Sequence, residues 1–396
     1  MKPLRIVLLT VEPPLPFGNA VGRWYYVLLK GLVERGHRVS AFSTCNTQAE
    51  ADQAMALFPA PDYSLRCYPP AGLGTLRSKV NTLWRPHSNL FSAALRQDFE
   101  RELARGFDLL HLESHWSGWL GMAHRDAALL NLHYLFQIDL AGQRPDSSLD
   151  RARQMRSFQA ETFLIRKYPL VCTVTGRLSQ RVRELNPSAE VHTLPFGMDL
   201  SQYPFAPARN PGNRVVTLIG SYNWMPTFTA GQRLLERLWP VVQARVPDAQ
   251  LRLVGRRAMA AFGKYADEPG ISIFEDVPDT APYFRDADVL LYAPGQGSGV
   301  KVKVLEAFSL GLPVVTTSEG VEGTDARDGV HAGVSDDDAG LIDRTVALLL
   351  NPAAGQRQSH AGRLLMETSF TPEVALAAVE RVYRTVAEHR RTRKAG

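Results

Sequence analysis

The stretch GQGSGVKVKVLEAFSLGLPVVTTSEGVEG, residues 295–323, places a glycine loop, two lysines and a glutamate at the start of a helical pattern, with a buried-type strand behind it. Glycines let backbone N–H groups approach a phosphate, and a helix N-terminus adds partial positive charge. In this pattern Lys301 and Lys303 suit a diphosphate, and Glu306, one turn further, suits the hydroxyls of a ribose. Taken alone, the same residues also read as a glycine turn followed by a helix with two solvated lysines, since short glycine motifs recur without ligands. The surrounding chain decides between these readings.

Immediately upstream, Val289–Ala293 reads as a strand, and it is one of a series. Val215–Gly220, Gln250–Gly255, Ile271–Glu275 and Pro313–Thr316 are the others of a second cycle. A first cycle runs through Arg5–Thr10, Arg38–Ser43, Asp108–Leu112, Leu129–His133 and Leu170–Thr175. Helical patterns at Ala20–Arg35, Ser88–Arg105, Asp150–Lys167 and Gly176–Leu185 separate these strands, and Gly36 closes the first helix. Strands alternating with helices imply right-handed crossovers and parallel sheets covered on both faces. The expectation is an α/β chain of two doubly wound, Rossmann-like domains facing across a cleft, with ligands beyond the carboxyl ends of the strands.

The predicted domains are residues 1–194 and 213–371, joined by a hinge at 195–212 that carries Pro195, Pro204, Pro207 and Pro211. A last helix, 372–391, opens on Thr371 and Pro372 and is expected to pack back on the first domain.

A chain of 396 residues exceeds one ordinary core, which agrees with two domains. Hydrophobic content of 45% and charged content of 21% are those of a soluble globular protein. No run approaches the roughly 18 apolar residues of a membrane span, and Ile6–Val11 is too short for a signal peptide, so the expected location is the cytoplasm. Cys45, Cys67 and Cys172 are odd in number and form no CxxC pair, which favours reduced thiols over disulfides or a metal site. Net charge is +5, much of it in a tail bearing Arg390, Arg391, Arg393 and Lys394. That tail reads as a solvated helix end, with peripheral contact to the inner face of a membrane as the alternative. No zinc spacing or aromatic-basic ladder supports a nucleic-acid partner.

The ordered set of motifs resembles retaining glycosyltransferases of the GT-B fold, specifically family 4, the bacterial group 1 transferases. The residues that carry the resemblance are Gly297-Ser298-Gly299, Lys301, Lys303, Leu305-Glu306-Ala307 and Gly311-Leu312-Pro313-Val314-Val315. In the same order as in that family come Gly36-His37, the hinge-like Leu194–Asp199, Gly220–Pro226, Leu253–Arg256 and Ala287-Asp288-Val289. The resemblance implies a nucleoside-diphosphate sugar as co-substrate, no cofactor and no metal. The donor-side set it implies is Gly18, Gly220, Arg256, Phe274, Val277, Gly297, Ser298, Gly299, Lys301, Lys303, Val304 and Glu306, with Glu306 on the ribose and Phe274–Val277 bordering the base. It implies catalytic roles for Lys301 and Glu306, and for His115 or His133 in the first domain. Partners would be the sugar nucleotide and a sugar-containing or lipid-linked acceptor.

Two departures from the family bear on the donor. Ser298 stands where many members carry a glutamate that contacts the donor sugar, and Tyr222-Asn223-Trp224-Met225 supplies no charge where many carry Arg and Lys. The cationic role therefore shifts to Lys301 and Lys303. The family's D-x-x-H-x-H pattern maps on Asp108–His115, but its second histidine falls on Glu113, with His115 two residues later. Two other readings stay open: a nucleotide-sugar epimerase or hydrolase of the same fold, and a non-catalytic nucleotide-sugar-binding subunit. The loop Glu12–Gly22 lacks GxGxxG spacing, which argues against a dehydrogenase.

Overall fold

The computed structural model describes residues 2–72, 81–141, 145–206 and 214–395, with side chains described as far as Val386. The hinge residues 207–212 and the basic side chains of the tail lie outside the described residues. The chain forms two compact units, residues 1–199 with 372–396 and residues 200–371.

The first unit holds a seven-stranded parallel sheet. In chain order its strands are β1 (Arg5–Thr10), β2 (Arg38–Thr44), β3 (Ser64–Tyr68), β4 (Leu109–Glu113), β5 (Ala128–Leu132), β6 (Leu170–Thr173) and β7 (Glu190–Thr193). Their order across the sheet is β3-β2-β1-β4-β5-β6-β7. β1 reads as a near-continuous apolar run, and β4 and β5 are buried along their whole length, because both faces of these strands are covered. The sequence reading omits β3 and β7. Both are edge strands, and they are only partly buried (SLRCY and EVHT), so they lack that apolar run. The predicted helix Ser88–Arg105 is also two elements: a single 3₁₀ turn at Ser88–Leu90 and a helix at Ala93–Ala104. Ser92 makes the break by capping the second, accepting the Leu95 N–H.

The second unit repeats the plan with β8 (Val215–Ile219), β9 (Gln250–Gly255), β10 (Ile271–Glu275), β11 (Val289–Tyr292), β12 (Val314–Thr316) and the short β13 (Gly333–Val334). Their order is β10-β9-β8-β11-β12-β13, all parallel. In each sheet the winding reverses at one point, between β1 and β4 and between β8 and β11. Ligands of doubly wound sheets sit at such a reversal, beyond the carboxyl ends of the strands.

The last helix, Pro372–Ala395, belongs to the first unit. Glu380 receives both Arg35 Nη1 at 3.0 Å and His37 Nε2 at 3.1 Å, which gives His37 a structural role. Leu376 lies so close to Gly31 that a Cβ there would be 2.0 Å from Leu376 Cδ1.

Candidate functional site

Two loops of the second unit meet at its reversal point. The loop after β11 carries Gly297, Ser298 and Gly299, and the loop after β8 begins at Gly220. A Cβ on Gly297 would lie 3.1 Å from Pro226 Cγ, so the glycine loop touches the first turn of the helix Met225–Arg233 that follows the β8 loop. The glycine loop feeds the helix Val302–Leu310, whose N-cap residue, Lys301, makes no side-chain cap hydrogen bond. An uncapped helix start preceded by glycines is suited to an anion. Gly311, in the left-handed region at φ 89, ends that helix and turns the chain into β12.

The two lysines of this loop have different surroundings. Lys303 Nζ donates to Thr227 Oγ1 at 2.7 Å and lies 4.1 Å from the centroid of the Tyr292 ring. It fills space that Gly220 leaves, since a Cβ there would be 2.9 Å from Lys303 Cε. Burial, and then the charge of Lys301, pushes the Lys303 ammonium down to about 7, with Glu306 working the other way. Lys301 is only 8% exposed. Its Nζ donates to the Gly299 carbonyl at 2.6 Å and pairs with Glu322 at 3.4 Å and Glu319 at 3.8 Å. One lysine thus ties the glycine loop to two carboxylates, and the other holds charge in a pocket that works against it.

The remaining predicted donor residues are spread around this point. Glu306 is half-buried and lies three residues beyond Lys303 on the same helix. Ser298 is buried, and Val304 is fully buried in the core, its N–H bonded to the Lys301 carbonyl. Arg256 is exposed after β9, and its carbonyl takes the Tyr222 N–H, joining the β8 and β9 loops. Phe274 packs on Tyr283 at 4.9 Å between ring centroids, and Val277 follows it half-buried. Gly18 is in the other unit, exposed in the loop before the helix Ala20–Glu34.

In the first unit the reversal point holds a buried carboxylate. Glu113, the last residue of β4, is inaccessible to solvent. His133 Nε2 lies 2.6 Å from its Oε2, and Trp24 Nε1 donates to Oε1 at 3.0 Å. Asn131 Nδ2 reaches both oxygens, at 3.2 and 3.0 Å, and His111 Nε2 lies 3.1 Å from Oε1. Behind it, His111 Nδ1 contacts the Tyr383 hydroxyl at 2.6 Å. Burial alone would raise the Glu113 pKa, but the His133 and His111 imidazoles outweigh it and hold the carboxyl well below the usual range.

His115 takes a different position from His133. It is fully buried against Trp116, Tyr134 and Phe136, 3.5 Å from Glu161, and neither ring nitrogen makes a hydrogen bond among the described residues. Burial pushes it down to about 3. The fold brings His133, and not His115, to Glu113.

Two family models together span most of the chain. "Glycosyl transferase 4-like domain" matches residues 20–197, and "Glycosyl transferases group 1" matches residues 213–351. The chain belongs to the family 4 type of glycosyltransferases. It is accordingly a transferase, and its fold is GT-B. Among solved structures, this glycosyltransferase is similar to sucrose-phosphate synthase from Thermosynechococcus elongatus, with a TM-score of 0.72 at 16% identity over 96% of this chain and 99% of that one. Anabaena HepE, in complex with UDP and glucose, matches with a TM-score of 0.65 at 13% identity over 97% and 100%. A point mutant of S. aureus TarM, in complex with Fondaparinux, alpha-GlcNAc-glycerol and UDP, matches with a TM-score of 0.69 at 9% identity over 96% and 99%. None of the curated proteins matches the sequence.

Among the described residues of the transferase, no group of three or more His, Cys, Asp or Glu is arranged to hold a metal ion, and no helix is long and apolar enough to cross a membrane. Sequence reasoning singled out neither Thr227 nor Tyr292 beside Lys303, nor Glu319 and Glu322 beside Lys301. It also gave no role to Trp24, Asn131 or Tyr383. One signal was available: His111 and Glu113 are two apart on β4, and Asn131 is the register partner of Glu113 on β5, so the period-2 rule puts these polar groups on one face.

Proposed function

We propose that this transferase moves a sugar from a nucleoside-diphosphate sugar to an acceptor hydroxyl with retention of configuration and without a metal. The acceptor class is a glycan, glycolipid or other sugar-containing compound. The observation that carries the reading is Lys303, an under-neutralised ammonium between the β8 and β11 loops, beside an uncapped helix start. A diphosphate supplies the negative charge that this arrangement lacks. UDP, which the Anabaena and S. aureus structures hold, is the first nucleotide to test.

In the proposed reaction the bond between sugar C1 and the diphosphate oxygen breaks. A bond from C1 to the acceptor oxygen forms on the same face, and the acceptor proton passes to the departing phosphate. The protein's part is positioning and electrostatic stabilisation of the leaving diphosphate by Lys303 and the glycine-loop amides. Glu306 takes the ribose hydroxyls. Lys301, already paired with Glu319 and Glu322, shapes the loop more than it meets the phosphates. His133 is assigned to a hydroxyl of the donor sugar or of the acceptor.

A thermal-shift series with UDP-, GDP-, TDP- and ADP-sugars tests this proposal, because a bound donor raises the melting midpoint by mass action. One nucleotide class is expected to raise it most, and no shift with any would remove the donor-site reading. Product anomeric configuration by NMR checks retention, and unchanged turnover in EDTA checks metal independence. Rapid donor consumption without acceptor would favour a hydrolase instead.

A further inference from the structure

The buried carboxylate of the first unit has a property that the proposed sugar transfer does not require. Glu113 is fully buried, yet among the described residues no lysine or arginine pairs with it. Its neighbours are polar donors instead. Trp24 Nε1 is a donor only, and the Asn131 amide group nearest the carboxylate is its NH₂. Trp24 and Asn131 donate to both Glu113 oxygens and the flanking imidazoles hold the carboxyl ionised, so His133 Nε2 must give it a hydrogen. His133 Nε2 sits 2.6 Å from Oε2, a distance at which two bare lone pairs would repel.

We infer that Glu113 is the positioning residue for His133. It accepts the Nε2–H and so fixes the neutral tautomer in which Nδ1 is the acceptor offered to a bound hydroxyl. Three further observations support a built arrangement. Tyr25 packs edge-on against the His133 ring, with centroids 5.9 Å apart, and holds its plane. Ser114, directly after Glu113, takes φ 72 and ψ 143, a region costly for any residue but glycine and often found at functional sites. Glu113 also ends β4 and His133 directly follows the neighbouring β5, with β4 at the reversal point of its sheet. A purely structural role is weakly motivated, because a buried ion without a cation is a poor way to stabilise a core.

Its effect on turnover rests on the sugar-transfer reading above; the tautomer itself does not. The test uses the full chain with ¹⁵N-labelled histidine and the two-bond proton–nitrogen spectrum of the imidazoles at pH 7.5, with His133→Ala identifying the resonances. The wild-type His133 is expected as the Nε2–H tautomer. In Glu113→Gln the Nδ1–H tautomer should appear, and kcat should fall roughly 10- to 100-fold, the range seen when a group that orients a metal-bound imidazole is removed, with the donor KM little changed.

An Nδ1–H tautomer or an imidazolium in the wild type overturns the proposal, even if Glu113→Gln does not fold. A variant in which only one of tautomer and kcat moves, or neither, overturns it as well. Absence of turnover with every sugar nucleotide would remove the proposed function and leave the wild-type tautomer measurement standing.

Discussion

Lys303 Nζ lies 2.7 Å from Thr227 Oγ1, so a lysine on the helix after β11 is held by the helix after β8. The contact spans the reversal point of the second sheet and fixes where positive charge stands in the loop. It also separates Lys303 from Lys301, which differs from it in sequence by only two positions.

Replacing Lys303 by Met should lower kcat/KM by roughly 10²–10³-fold, the usual cost of removing one donor to a developing negative charge. The same change removes an ammonium that its own surroundings disfavour. The melting temperature should therefore stay level or rise. A large loss of stability, or full activity, would remove Lys303 from the proposed role.

The pH dependence of donor binding follows from the same residue. In the free protein the Lys303 pKa is about 7, and a bound diphosphate raises it. Below about pH 7 the group is already charged, and affinity is level. Above it, binding must take up a proton, so donor affinity falls by up to roughly tenfold per pH unit until the bound-state pKa is reached. Lys303→Arg stays charged throughout and should flatten that limb. Donor titrations by calorimetry from pH 6 to 9 check it, and an identical limb in both proteins would refute it.

Lys301→Ala should act mainly on stability. It takes from Glu319, Glu322 and the Gly299 carbonyl the ammonium that all three share. The cost should be roughly 2–3 kcal/mol, below that of breaking a fully buried pair because the carboxylates keep some solvent. Urea unfolding measures it; a value near zero would mean that the triad is only a surface contact.

Gly31→Ala should destabilise the fold by about 1–3 kcal/mol, because its Cβ would sit 2.0 Å from Leu376 Cδ1. Leu376→Ala in the same chain should recover part of that loss. Additive losses in the double variant would show that Leu376 is not the obstacle.

The central strands were legible because burial on both faces writes a continuous apolar run, as in Ile6–Leu9 and Val289–Tyr292. The edge strands Ser64–Tyr68 and Glu190–Thr193 were not, since each lacks a covering neighbour on one side. The helix break at Ser92 was readable in principle, from a serine ahead of an apolar stripe. Glu113 appeared in the sequence as a departure from a histidine pattern, and apart from its two-residue spacing from His111 nothing local indicated its partners. Trp24 is 89 residues away and His133 is 20.

Sequence by itself determined the two parallel α/β sheets and the loop that starts the helix Val302–Leu310. Strand and helix periodicity, glycines and helix signals all act over a few neighbouring residues. Only the tertiary structure decided how the two lysines differ and which of His115 and His133 meets Glu113. Lys301 meets Glu322 across 21 residues, Lys303 meets Thr227 across 76, and His111 meets Tyr383 across 272. Charge state and pairing depend on distance through space and on burial, and neither follows from spacing along the chain.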